Sequence, residues 1–289
     1  MNRYSVVDLH CHTNHSDGLL GPLDLLARAE EQGVELLAIT DHDEVSGLLE
    51  AMSASANSSV KLVSGIELSS VWNGVGVHVV GLNFDLESPQ LAEVLEAQRQ
   101  ARDSRSIKIA ERLQRLCEAD VLQGARAIAL NRRGLDPSSD HPVQLGRPHF
   151  ADFLVESGIV DSREMAFRKY LGAGKPGDVK SHWPELETVV GWITSMGGTA
   201  VLAHPHHYKM TNTRLRKLLG SFKASGGEAM EVVTGGLPRQ KIDWFASLCE
   251  AFDLRASVGS DFHAPVGPWC ELGNLQTLPG GCDPVWASW

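Results

Sequence analysis

An α/β fold is the reading this 289-residue sequence supports, on three observations. Short apolar runs rich in β-branched residues alternate with longer helix-like stretches, the sequence sign of a parallel sheet. Residues able to bind metals recur at the carboxyl ends of those runs, where α/β barrels build their active sites. A single long stretch without a strand interrupts the alternation, which fits an insertion into one domain better than two unrelated domains.

Seven strands are expected, near residues 5–11, 36–40, 61–67, 76–82, 199–203, 229–234 and 256–260. The first ends in His10-Cys11-His12; residues two apart on a strand share a face, so the two imidazoles point together and Cys11 points away. The second closes on Thr40-Asp41-His42, and the third brings Glu67 after Val63-Ser64-Gly65-Ile66. His78 lies inside the fourth run, Gly76-Val77-His78-Val79-Val80-Gly81, and must reach a site from within its strand. Residues 99–180 then read as mainly helical and are expected to form a cap or substrate domain on the active-site face, leaving 1–98 and 181–289 as the barrel. After the insertion, Val201-Leu202-Ala203 leads into His204-Pro205-His206-His207, and the last strand ends in Ser260-Asp261-Phe262-His263, which repeats the two-residue spacing.

Taken singly these signals are weak. A lone His-x-His or Asp-x-His is more often structural than metal-binding, and an isolated Glu67 or His78 is more often a satisfied polar residue beside a core. The recurrence of such candidates in one chain carries the argument, because neutral imidazoles and ionised carboxylates are the donors that hold borderline and hard divalent metals.

The segments His10-Cys11-His12, Ser16-Asp17-Gly18, Thr40-Asp41-His42, Gly65-Ile66-Glu67, His78, Ala203-His204-Pro205 and Ser260-Asp261-Phe262-His263 together resemble the PHP family, the polymerase and histidinol phosphatase metal-dependent phosphoesterases. The resemblance implies a distorted seven-stranded (β/α)7 barrel and three divalent ions. His10, His12, Glu67 and Asp261 would hold one, with Glu67 bridging to a second held by His78 and His204. Asp17, His42 and His263 would hold the third. Manganese is the family precedent, with zinc, iron and magnesium as alternatives.

The chain looks most like family members that remove the 3′-phosphate from nucleoside 3′,5′-bisphosphates such as adenosine 3′,5′-bisphosphate, giving AMP. Relatives of these trim short RNA from its 5′ end. Histidinol-phosphate hydrolysis and non-catalytic nucleotide binding are the competing readings; the complete ligand set argues against the second. The expected chemistry is in-line attack on phosphorus by a metal-bridging hydroxide, with Glu67 and Asp261 as catalytic residues holding the bridge and no covalent phosphoenzyme.

Charge separates the insertion from the rest. Residues 99–180 hold 15 Lys plus Arg against 11 Asp plus Glu, whereas the remainder holds 11 against 25. A basic insertion beside an acidic barrel favours a small anionic substrate, and the overall charge of -10 argues against stable binding to duplex nucleic acid. Arg99, Arg102, Arg105, Lys108, Arg112 and Arg115 step by three or four along one helix face, either solvated or bordering the site. Arg147, in Leu145-Gly146-Arg147-Pro148-His149-Phe150, is the first candidate to grip a phosphate, and Lys175 in Gly174-Lys175-Pro176 a second. His206 is expected to contact substrate or protonate the leaving group, with His207 as the other candidate on that loop.

Five cysteines without a Cys-x-x-Cys pair do not make a disulfide framework. Cys11 reads as a small buried hydrophobe, and Cys117, Cys249, Cys270 and Cys282 carry no motif. With no uninterrupted apolar span and no basic segment leading an apolar signal core, a cytoplasmic location without a membrane partner is expected.

Overall fold

The computed structural model describes residues 4–116, 118–179 and 182–289. Cys117 and the expected boundary between residues 180 and 181 lie outside the described residues. The fold is α/β, with two sheets. Strands β1 (Val7–Cys11), β2 (Leu36–Ile39) and β3 (Lys61–Val63) form a parallel three-stranded sheet, covered by α1 (Pro22–Glu31) and α2 (Ser46–Ala54). Strands β4 (Gly65–Trp72), β5 (Val75–Leu82), β6 (Thr199–Leu202), β7 (Ala229–Thr234) and β8 (Arg255–Gly259) form a second sheet in that order. Its first two pairings are antiparallel and its last two parallel.

A distorted seven-stranded barrel with parallel strands was expected; among the described residues eight strands are found, three in a parallel sheet and five in a mixed one, for two local reasons. The expected strand over 61–67 breaks at Ser64, whose hydroxyl donates to Phe84 O at 2.6 Å while its carbonyl accepts from Asn83 N at 2.8 Å. The chain therefore leaves β2 after Val63 and opens a new ladder at Gly65. The second reason is Asn73-Gly74, which take φ of 46° and 73° in succession. Two successive positive φ values make the primed two-residue turn that fits a tight hairpin, so β5 folds back antiparallel on β4. The two sheets are not one closed ladder: they meet through the isolated parallel bridges Cys11 to Phe262 and His42 to Glu67.

Helices α7 (Leu186–Ser195), α8 (Asn212–Ala224) and α9 (Arg239–Phe252) bury Ile193, Phe222 and Phe245 in the core of the larger sheet. Between β5 and α7 the described residues are mainly helical, as expected. Helix α3 (Pro89–Leu113) starts in that core through Leu91 and Val94, passes the expected boundary at 98/99, and ends in a second apolar cluster through Ile109 and Leu113. Helices α4 (Val121–Arg132), α5 (Arg147–Glu156) and α6 (Arg163–Ala166) complete that cluster around Ala125, Phe150, Leu154 and Ala166. Among the described residues no helix is long and apolar enough to cross a membrane.

Candidate metal centre

The centre begins at the carboxyl end of β1. Strand alternation turns His10 and His12 to one side, with Nε2 atoms 3.1 Å apart, and turns Cys11 to the other, where its thiol donates to Ala38 O. Asp8 ties this strand to the loop after β8: its carboxylate accepts from Ser260 N at 2.8 Å and Gly273 N at 2.9 Å. Asp261 N then donates to His10 O, and His12 N to Phe262 O, both at 2.9 Å. Gly259 permits this approach, since a Cβ there would lie 2.2 Å from His10 Cβ. Asp261 itself takes a positive φ of 56°, a conformation that Asp tolerates better than most residues.

Glu67, buried on β4, sits in the middle. Its Oε1 is 2.8 Å from His78 Nδ1 and 2.8 Å from His204 Nε2. Its Oε2 is 2.8 Å from His42 Nδ1, 3.4 Å from His10 Nε2 and 3.5 Å from His12 Nε2. Asp261 Oδ1 lies 3.2 Å from His12 Nε2 and 3.5 Å from His10 Nε2. At the outer edge, Asp17 reaches His263 Nε2 at 3.2 Å and His42 Nε2 at 3.7 Å.

These donors fall into overlapping groups: His10, Glu67 and His204; His10, His12 and Asp261; His42, Glu67 and His78; and His12, Asp17, His42 and His263. The last group draws in His12, whose ring stacks on His263 at 4.1 Å. His15 stays apart, paired with Ser46 Oγ at 2.7 Å and Glu50 Oε2 at 3.0 Å.

The cluster fits divalent ions. Donors about 2.1 Å from one ion are separated by about 3.0–3.4 Å in octahedral or tetrahedral arrangements, and the contacts of His10 Nε2 with His12 Nε2 at 3.1 Å and with Glu67 Oε2 at 3.4 Å, and of His12 Nε2 with Asp261 Oδ1 at 3.2 Å, fall in that range. Glu67 Oε2 is buried and accepts no hydrogen bond despite three nearby ring nitrogens. A buried acceptor left so is costly unless something else satisfies it.

Electrostatics point the same way. Burial opposes charge on Glu67, but His42, His78 and His10 outweigh it and hold the carboxyl well below its usual range. Asp17 is held low by His42 and His263, and Asp261 by His10 and His263, each against burial. Burial and the nearby His263 press His12 down to about 3, while Asp17 and Asp261 overcome burial and push His263 up to about 10. Ions bound to the same atoms would take the place of any ring protons there.

Two supporting carboxylates lie outside the nine expected ligands. Glu231, buried on β7, places Oε1 2.5 Å from His10 Nδ1 and accepts the His204 backbone N–H with Oε2. Holding Nδ1 in this way keeps the His10 Nε2 lone pair toward the centre. A single acid in the apolar run Ala229-Met230-Glu231-Val232-Val233 was its visible signal. Asp41 accepts from Thr13 N at 2.7 Å, Thr13 Oγ1 at 2.6 Å and Ser16 Oγ at 2.6 Å, which shapes the loop between His12 and Asp17. Burial pushes Asp41 up to about 6.

The centre floors a cleft of about 680 Å³ whose lining also carries Arg102, Arg105, Arg147 and Trp183. The cationic stripe of α3 divides. Arg99 pairs with Glu96 and Asp103, and Lys108 with Glu111, all in solvent. Arg102 and Arg105 are buried against the cleft: Arg102 Nε donates to Asp43 Oδ2 at 3.0 Å, Arg105 Nε donates to Val179 O at 2.8 Å, and both guanidinium groups lie over the Trp183 ring. Burial pulls Arg105 down to about 9. Arg147, at the start of α5, donates to Leu171 O at 3.2 Å and lies over Phe167. His207 borders the cleft and stacks on His204 at 5.2 Å, whereas His206 Nδ1 faces Thr234 Oγ1 at 3.5 Å and Lys175 is exposed away from the lining.

Residues 8–130 match the model of the PHP domain. The chain is 39% identical over 279 residues to a 5′-3′ exoribonuclease of Haemophilus influenzae, covering 96% of this chain and 97% of that one. It is 39% identical over 280 residues to a 3′,5′-nucleoside bisphosphate phosphatase of Chromobacterium violaceum, covering 97% and 95%. Among solved structures, an amidohydrolase from Chromobacterium violaceum with bound sulfate and no metal superposes with a TM-score of 0.85 at 39% identity, covering 98% of this chain and 95% of that one. A Bifidobacterium adolescentis chain described as a metal-dependent phosphoesterase superposes with a TM-score of 0.75 at 26% identity, covering 96% and 92%.

Proposed function

Because this chain belongs to the PHP family of metal-dependent phosphoesterases and is a hydrolase of that kind, we propose that it removes the 3′-phosphate from nucleoside 3′,5′-bisphosphates. Adenosine 3′,5′-bisphosphate would give AMP and phosphate. The observation that carries the reading is the meeting, in one cleft, of a buried carboxylate and imidazole cluster with Arg102, Arg105 and Arg147. Two separate anion sites suit a substrate with two phosphates, and the Chromobacterium violaceum phosphatase supports it.

We assign three divalent ions, manganese first, to His10, His12, Glu67 and Asp261; to Glu67, His78 and His204; and to Asp17, His42 and His263. When bound, such ions supply a nucleophile at neutral pH and neutralise charge on the reacting phosphoryl group. Glu67, with one oxygen toward each neighbouring set, holds the sets in register, and Asp261 closes the site from the β8 side. Glu231 fixes the His10 tautomer. Arg147, Arg102 and Arg105 orient the 5′-phosphate, since guanidinium groups bind phosphate through paired N–H donors. Of the two histidines after Pro205, His207 is assigned to substrate contact because it borders the cleft. The two sheets are read as a distorted barrel and residues 99–180 as its cap, in a cytoplasmic enzyme.

A second reading is the trimming of short RNA from its 5′ end, favoured by the near full-length likeness to the Haemophilus influenzae exoribonuclease. The test is phosphate release from adenosine 3′,5′-bisphosphate by manganese-loaded protein, with AMP, adenosine 3′-phosphate, histidinol phosphate and a short 5′-phosphorylated RNA alongside. Conversion to 5′-AMP, abolished by Asp261→Ala, is expected. Release of mononucleotides from RNA with silence on the bisphosphate moves the assignment to the second reading, and silence on every substrate overturns both.

A further inference from the structure

His78 sits where strand β5 runs out of a neighbour. Strand β6 pairs only with Val79 to Leu82, so from His78 back to the hairpin tip one edge of β5 has no strand beside it among the described residues. Continuing the register sets His78 opposite Ala203, and Ala203 N does donate to His78 O at 3.1 Å. In a hydrogen-bonded antiparallel pair the return bond would run from His78 N to Ala203 O. Instead His78 N donates to the Tyr208 hydroxyl at 3.0 Å. The cause is His204, whose φ of 27° and ψ of 58° turn the chain out of the ladder at the next residue.

That turn serves the centre. It brings His204 Nε2 to Glu67 Oε1 at 2.8 Å and the His204 N–H to Glu231. It also deprives β5 of an acceptor, and the replacement comes from Tyr208. The short helix Pro205–His207, closed by His207 N on His204 O at 2.9 Å, returns the chain so that Tyr208 lies over His78. The hydroxyl then meets both backbone groups of His78, accepting the N–H at 3.0 Å and donating toward His78 O at 3.4 Å. The Tyr208 ring stands edge-on to the His204 ring, with centroids 5.7 Å apart. One side chain therefore touches the strand that carries His78 and the ring of His204. These two imidazoles share Glu67 Oε1, each at 2.8 Å, with His78 Nδ1 and His204 Nε2 3.3 Å apart.

We propose that Tyr208 is a positioning residue for His78 and His204, keeping both imidazoles on Glu67 so that the ion assigned to these three residues binds tightly. This inference rests on that ion assignment. Without the hydroxyl, the His78 N–H has no protein acceptor, and a water that replaces it must enter between β5 and the loop after β6. The His78 backbone then shifts, and its ring with it. The effect is local to one ion. His10 and His12 stand at the end of β1, Asp17 and His42 follow β1 and β2, and Asp261 and His263 follow β8; none of them is on β5 or on the loop after β6.

The experiment titrates manganese into metal-free wild type, Tyr208→Phe and His78→Ala by calorimetry, with urea unfolding of the metal-free proteins alongside. Tyr208→Phe keeps the ring and removes only the hydroxyl. His78→Ala should lose one class of bound ion. Tyr208→Phe should retain that class but bind it about 10-fold more weakly, with the remaining classes within about 2-fold of wild type. A Tyr208→Phe isotherm equal to wild type overturns the proposal, as does a weakening of every class together with a lower urea midpoint, which would make Tyr208 a packing residue. Loss of a class in His78→Ala beside an unchanged Tyr208→Phe removes the positioning role alone. A His78→Ala isotherm equal to wild type overturns the assignment of His78 to an ion, and the positioning role with it.

Discussion

Replacing Glu231 by Gln changes one charge and almost no volume, and the structure says why this should weaken the metal centre. Both carboxylate oxygens face donors, the ring Nδ1 of His10 and the backbone N–H of His204, at a residue only 2% exposed. A glutamine side chain has one acceptor oxygen and one NH2 group, so it can accept from only one of the two. If the oxygen keeps His204, the NH2 meets Nδ1, and His10 must move its proton to Nε2, the atom facing Glu67 and Asp261. A proton there blocks a donor. Outer carboxylates of this kind are worth about 10- to 100-fold in metal affinity, or about 1.4–2.7 kcal/mol. Manganese affinity measured by calorimetry on metal-free wild type and Glu231→Gln should differ by that factor, with little change in the urea midpoint of the metal-free proteins. Equal manganese affinity in the two proteins would refute the argument that Glu231 sets the His10 tautomer.

Three further predictions follow from other parts of the fold. Arg102→Met leaves Asp43 as an uncompensated charge inside the protein, so urea unfolding should show a loss of about 3–5 kcal/mol, and adding Asp43→Asn should recover a large part of it. His149 gives a pH dependence. Burial and then Arg132 lower its folded pKa to about 3, and its Nδ1 accepts Gly146 N–H at the start of α5. Its unfolded pKa is about 6.5, so between these values the unfolded chain binds the extra proton; the stability is complete above pH 6.5 and lost as pH falls, by about 2 kcal/mol at pH 5. His149→Gln should flatten this part of a stability profile taken by urea unfolding, and an unchanged slope would count against the buried neutral ring. Gly259→Ala places a Cβ 2.2 Å from His10 Cβ, so the approach of β8 to β1 must open; manganese affinity should fall at least 10-fold, while the circular dichroism stays close to wild type.

Much of the site was legible because its residues stand in short local patterns. The nine expected ligands all lie in the cluster around Glu67, and their spacing follows from strand geometry. The helices between β5 and α7 and the excess of cations over residues 99–180 could also be read directly. The division of the α3 stripe could not. Arg99 and Arg102 have the same residue type and helical spacing, yet one finds Glu96 and Asp103 in solvent and the other finds the buried Asp43. His206 and His207 are adjacent in sequence, and only the path of the loop after β6 decides which one borders the cleft.

By itself the sequence determined which elements form and which way their side chains face. Backbone stereochemistry fixes the two-residue period of a strand, so His10 and His12 share a face and Cys11 takes the other wherever β1 lies. Tertiary structure decided which strands pair and what each polar residue meets. Ser64 ends one ladder because it finds Phe84 and Asn83, and Glu231 becomes part of the centre because β7 brings it to a histidine 221 positions away in the chain. Such contacts depend on the packing of the whole molecule, since neither local propensity nor strand period carries information about a partner so distant along the chain.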